Sequence, residues 1–97
     1  MKRFIKSTID NNIYKVDDPS NVAEIRGAIY MILRDKYHWS YYKCDLVESS
    51  LKYARSIDED DITYALNTAY PEDKVPEKVS AKHQRMAHTM MQIMELV

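Results

Sequence analysis

The sequence SNVAEIRGAIYMILRDKYHW, residues 20–39, decides the fold. Its apolar residues recur at the spacing of one face of an α-helix: Val22, Ile25, Ile29, Ile32 and Leu33. The run from Gly27 to Leu33 holds no charged residue, so the apolar surface nearly encircles the helix there. A helix that is apolar on most sides is buried on most sides. We therefore expect a central helix over about residues 20–38, with Gly27 and Ala28 letting a neighbouring helix approach closely.

Length and composition indicate one small globular domain over residues 1–97. The chain is 45% hydrophobic and 30% charged, with a net charge of −1. Its one glycine disfavours phosphate-binding loops and with them nucleotide enzymes. The single cysteine, Cys44, excludes an internal disulfide and fits a reducing compartment. No run approaches the roughly 18–20 apolar residues of a membrane span, so we expect a soluble, cytoplasmic protein.

The chain before the central helix is expected to form a short β-hairpin within residues 1–19. Residues 4–9 and 13–16 are rich in β-branched and aromatic side chains, and Asp10-Asn11-Asn12 between them favour a turn. The alternative is a helix, because one helical face would collect four apolar residues: Ile5, Ile9, Ile13 and Val16.

Three further helices are expected at 41–56, 59–69 and 77–97. Ser20 or Asn21 should cap the first helix, Ser40 the second and Asp58 the third, and Pro76 suits the first turn of the last. The predicted fold is therefore mainly α, a compact bundle of four helices around the central one. The second helix should turn one apolar stripe to the core: Tyr41, Cys44, Val47, Leu51 and Ala54.

The last predicted helix carries a methionine-rich stripe. Its apolar side includes Val79, His83 and Ile93, together with three methionines: Met86, Met90 and Met94. Such a stripe is often core packing, but flexible thioether side chains also form adaptable binding surfaces. Both roles stay open, and the second makes these methionines candidate partner-binding residues.

Charge is divided between the third and fourth predicted helices. The third helix begins with a run of acids, which suits the positive end of its dipole, and the fourth carries a basic strip. These charges are either solvated surface or docking residues that orient a partner. The docking interpretation adds seven candidate partner-binding residues: Asp58, Glu59, Asp60, Asp61, Lys78, Lys82 and Arg85.

A helix-turn-helix unit is the alternative interpretation of residues 54–66, with its turn at residues 56–58. The glycine usual in that turn is replaced by Ser56, and the acids at the start of the second helix would be repelled by a DNA backbone. Exposed aromatic residues near the first helix junction would stack on single-stranded nucleic acid, or would form a protein-binding hot spot: Tyr30, Tyr37, Trp39, Tyr41 and Tyr42.

No spacing in the sequence predicts a catalytic, cofactor or metal site. His38, Cys44 and Asp45 match no zinc pattern, and His83 and His88 lie on different sides of a helix. Cys44 falls on an apolar stripe, which favours a core residue over a nucleophile.

These features together predict a small, non-enzymatic regulator or inhibitor that binds another protein. Binding is expected through the methionine-rich C-terminal helix and the acidic third helix, with a homodimer as a further expectation. The small size and the many tyrosines and methionines would suit an accessory protein of a phage or mobile element. The alternative is a nucleic-acid-binding regulator of helix-turn-helix type.

Overall fold

A computed structural model of the chain describes residues 3–6, 13–16, 20–69, 76–94 and 96. This part of the chain is mainly helical, as the sequence predicts. The four helices are α1 (Val22–Asp35), α2 (Tyr41–Leu51), α3 (Glu59–Ala69) and α4 (Pro76–Ile93). The bounds of α3 are those predicted, and α4 begins at its proline, where the missing N–H costs no helical hydrogen bond.

Two four-residue strands precede the helices. Strand β1 (Arg3–Lys6) pairs antiparallel with β2 (Ile13–Val16), and β2 lies against α1. The residues between the strands, 7–12, lie outside the described part of the chain. The hairpin as a whole therefore stays a prediction.

Short polar side chains cap the first three helices, as predicted. The Ala23 N–H donates to the side-chain oxygen of Asn21 at 3.0 Å, and the Lys43 N–H donates to Ser40 Oγ at 3.2 Å. Asp58 and Asp61 exchange two backbone-to-side-chain hydrogen bonds at 2.8 and 3.0 Å. This reciprocal pair satisfies N–H groups that the first helical turn leaves without an intrahelical acceptor.

Helix α1 ends at Asp35, three residues before the predicted end. His38 takes a left-handed backbone conformation with φ of 57°, which no α-helix can continue. The chain then turns back on the helix, and the Trp39 N–H donates to the Leu33 carbonyl at 3.0 Å.

Helix α2 ends at Leu51 rather than at Ser56. The N–H groups of Lys52 and Ala54 donate to carbonyls three residues back rather than four, and the side chains of Lys52 and Tyr53 are exposed. Few core contacts are therefore left to hold another helical turn. Arg26 Nη1 of α1 donates to the Lys52 carbonyl at 2.9 Å and places a positive charge at this helix end. The connection to α3 thus spans residues 52–58, longer than the three or four residues of a helix-turn-helix turn.

The closest helix contacts run in chain order. Helix α1 lies against α2, α2 against α3, and α3 against α4. Helices α2 and α3 therefore each lie between two helices, whereas the sequence predicted that place for α1. Helix α1 still supplies three of the most completely buried side chains: Ile29, Ile32 and Leu33.

The prediction that Gly27 lets a neighbouring helix approach closely is wrong. Gly27 is exposed, and a side chain added there would meet nothing within 4 Å. The glycine therefore admits no neighbouring helix, whereas Ala28 beside it is buried in the core.

Candidate functional site

An aromatic and arginine cluster lies where α1 meets α2. We call Tyr30, Arg34 and Tyr41 the junction cluster. The Arg34 guanidinium lies 3.7 Å from the centre of the Tyr41 ring, and the Tyr30 and Tyr41 rings lie 6.5 Å apart. Arg34 Nη1 also donates to the Trp39 carbonyl at 2.6 Å. Stacking and a charge-assisted hydrogen bond thus hold the guanidinium in one orientation.

Tyr41 is the exposed member of this cluster and a correction to the predicted core stripe of α2. Its side chain is 63% exposed, whereas Cys44, Val47 and Leu51 on the same stripe are buried. As the first residue of the helix, Tyr41 extends past the end of the core and covers Arg34 instead. A large aromatic surface therefore stays in contact with water.

The surroundings of Tyr30 change the pKa of its hydroxyl. Burial first, then the carboxylate of Asp45, raises the pKa of the Tyr30 hydroxyl above its ordinary value, while Arg34 opposes the shift. The Tyr30 hydroxyl therefore keeps its proton near pH 7.

A cleft of about 430 Å³ opens beside the cluster. We call it the junction cleft. It lies between the α1–α2 connection and the first part of α4, and seven described residues line it: Tyr37, His38, Trp39, Ser40, Lys43, Lys82 and His83. Cationic and aromatic groups share its wall. Sequence reasoning did not find it, because Lys43 and Lys82 are far apart in the chain and only packing brings them together.

The floor of the junction cleft is held by side-chain contacts between helices. His83 is only 3% exposed, and its Nδ1 pairs with Asn67 Oδ1 of α3. The His83 ring meets the Trp39 ring edge-on, with centres 6.1 Å apart. Burial raises the pKa of Tyr37, and a side-chain hydrogen bond with Thr89 of α4 opposes the shift. These contacts join the α1–α2 connection and α3 to α4 at the cleft.

The structure places the three candidate methionines in the core. Met86 is 6% exposed, and Met90 and Met94 have no exposed surface. They pack with apolar residues of α1, α2 and α3 in one cluster. Of the two roles left open by the sequence, they fill the core role here, and their side chains present almost no surface to a partner in this arrangement.

The four candidate acids have different surroundings. Asp58 and Asp61 form the cap of α3, and Glu59 Oε1 lies 2.6 Å from Nδ1 of His88 on α4. Asp60 is exposed. Three of the four therefore have intramolecular contacts that help to begin α3 or to join it to α4.

The candidate basic residues of α4 are divided between two surfaces. Lys82 is exposed and lines the junction cleft, and Arg85 is exposed beside Glu59 and His88 in a separate shallow groove. Lys78 lies in α4 but outside the residues whose side chains are described. The structure thus brings Lys82, but not Arg85, to the junction cleft.

Cys44 is a buried core residue, and its chemistry follows from that position. Burial raises the pKa of the thiol, Asp45 adds to the shift, and Arg34 opposes it. Thiol reagents react with the thiolate, so native Cys44 should react on the order of 100-fold or more slowly than in the unfolded chain. Ellman's reagent at mildly alkaline pH, with and without guanidinium chloride, measures both rates. Equal rates would contradict the burial of this thiol.

Known proteins and simple site patterns add no further assignment. Within the described ranges, no three His, Cys, Asp or Glu side chains are grouped as metal ligands. None of the helices in the described part of the chain is both long and apolar enough to span a bilayer. Comparison with known protein families, curated protein sequences and solved structures gives no match.

Proposed function

We propose that this protein is a non-enzymatic regulator or inhibitor that binds another protein through the junction cluster and the adjoining junction cleft. The observation that carries the proposal is Tyr41, which is 63% exposed while the Arg34 guanidinium is held 3.7 Å from its ring. Tyrosine, tryptophan and arginine are the residues most enriched where protein interfaces concentrate their binding energy. Tyr30 and Trp39 beside this pair extend the same chemistry.

Preorganisation strengthens the case for this surface. A binding side chain loses about 0.5–1.5 kcal/mol when an interface fixes it in one rotamer. Arg34 is already oriented by the Tyr41 ring and by the Trp39 carbonyl. Much of this entropy loss therefore occurs on folding rather than on binding.

The C-terminal helix keeps a part in this proposal through Lys82 rather than through its methionines. Lys82 brings a positive charge to the cleft side of the binding face. Charges at the rim of an interface raise the association rate and set orientation more than they raise affinity. The capping acids of α3 are structural in this scheme, and Asp60 is an exposed charge outside the proposed face.

A photo-crosslinking amino acid at position 41 tests the proposed face directly. The same amino acid at position 64 is the control, because Tyr64 is also an exposed tyrosine, at 73%, on a different helix. We expect position 41 to give a specific adduct with a protein in host extract and position 64 to give none. An adduct with a second copy of the chain would identify the partner as itself. No adduct at 41, or the same adduct from both positions, would contradict the proposed face.

Tyr41→Ala should weaken binding of the purified partner at least about 30-fold, which corresponds to the roughly 2 kcal/mol of an interface hot spot. Tyr64→Ala makes the same truncation outside the proposed face and should change affinity less than about threefold. Isothermal titration calorimetry measures both, and circular dichroism checks that each variant keeps its helices. Equal losses in the two variants would remove Tyr41 from the binding surface.

A further inference from the structure

We infer that the junction cleft receives an acidic segment of the protein partner, whose Asp or Glu carboxylates lie between Lys43 and Lys82. This inference rests on the proposed function and gives the partner a chemical character. It concerns the cleft rather than the junction cluster, so the two can fail separately.

Charge complementarity is the first support. Two lysines line the cleft, and its described wall contains no Asp or Glu. The lysines come from different helices, Lys43 from the first turn of α2 and Lys82 from α4. Lys43 Nζ donates to the Ala69 carbonyl at 2.7 Å, which fixes the position of its charge. A carboxylate in the cleft would therefore meet positive groups from two directions.

The size and polarity of the cleft fit a few peptide side chains. Its volume of about 430 Å³ is at the lower end of the range of roughly 300–1,000 Å³ for ligand sites. The rings of Tyr37 and Trp39 supply apolar wall beside the charges. A Glu side chain matches this arrangement, since its methylene groups are apolar and its carboxylate is charged.

An acidic peptide fits the surroundings better than a nucleic acid does. A phosphate backbone repeats its charge at every nucleotide, whereas the described wall of the cleft offers two lysine charges, a number that suits the few acids of a short peptide. Trp39 is only partly exposed and contacts His83 edge-on, which leaves it a poor platform for stacked bases.

Trp39 fluorescence can be used to measure binding in the junction cleft. Because Trp39 lines the cleft and the chain has no other tryptophan, its emission reports occupation of this site. The probe is a short, end-blocked peptide of alternating Glu and Gly, titrated in low salt. We expect a saturable change in Trp39 emission that weakens as salt is raised, because ions screen exposed charges. The same peptide with Gln in place of Glu should give no saturable change, and a matching response to it would overturn the inference.

Lys82→Glu and Arg85→Glu provide matched variants. Both residues are exposed on α4 and both changes reverse one charge, but only Lys82 lines the junction cleft. We expect Lys82→Glu to weaken the Glu peptide at least about tenfold, and Arg85→Glu to change its affinity less than about threefold. Equal effects would show that net charge rather than the cleft controls binding, and would overturn the inference.

Two further measurements distinguish failure of the acidic-segment inference from failure of the proposed function. Oligothymidylate that saturates the Trp39 signal more tightly than the Glu peptide would assign the cleft to phosphates and overturn the acidic-peptide inference. A partner that loses affinity with Tyr41→Ala but not with Lys82→Glu would leave the proposed function standing and remove the cleft from it. Loss with Lys82→Glu alone would retain the cleft and remove the junction cluster.

Discussion

Met90→Asp should abolish the folded state near neutral pH. Met90 has no exposed surface and packs in the apolar cluster shared by all four helices. Truncating a buried methionine costs about 2–5 kcal/mol, and an unpaired carboxylate in the core adds several kcal/mol. Small domains are stable by only about 5–15 kcal/mol, so the sum reaches or exceeds the whole. Circular dichroism and thermal melting should show loss of helix and of the cooperative transition.

Gln92→Asp is the matched control for that experiment. Gln92 is exposed on the same helix two residues further on, so this variant also introduces an aspartate near the helix C-terminus. It should lose no more than about 1 kcal/mol, because an exposed acid near this end of the dipole is only mildly unfavourable. A folded Met90→Asp protein that lost only self-association would place Met90 at an interface and contradict its core position.

Ile32→Ala should lower the free energy of unfolding by about 2–5 kcal/mol. Ile32 has no exposed surface on α1, and removing its outer carbons forfeits their burial and leaves a cavity that the neighbouring helices fill only in part. The cost depends on how far α2 and the methionines of α4 can close the space. Urea unfolding followed by circular dichroism measures the change, with an unchanged slope expected because the denatured chain exposes similar surface.

Met31→Ala is the control on the neighbouring position. Met31 is 49% exposed, so about half of its surface is already in contact with water. The free energy of unfolding should fall by no more than about 0.5 kcal/mol, as is usual for surface positions. Equal losses at positions 31 and 32 would mean that the buried face of α1 is not the one described.

Local signals explain which parts of the fold were predictable. The starts of α1 and α3 could be predicted from Asn21 and Asp58, because a capping side chain acts within three residues of its own position. The early ends of α1 and α2 had no such signal. His38 takes a left-handed conformation without being glycine. Within residues 52–56 only Ala54 packs against the core, which is too little contact to hold a further turn of α2.

The candidate site was less predictable because it depends on contacts between distant residues. Helical periodicity assigns Met90 to an apolar face, but it cannot say whether that face meets its own chain or another. Tyr41 shares the spacing of a buried stripe and is exposed, because it lies at the end of the helix. Lys43 and Lys82 line the same cleft because of the packing of α2, α3 and α4, which no local sequence pattern predicts.

The chain-order packing of the helices has a kinetic consequence. Each helix meets the next one along the chain, α1 with α2, α2 with α3 and α3 with α4. Bringing such neighbours together closes only short loops, so little chain entropy is lost before apolar contacts form. Helical proteins rich in local contacts fold in microseconds to milliseconds. The unfolded chain should therefore pass quickly through the stage at which its methionine-rich helix is exposed to water and to other chains.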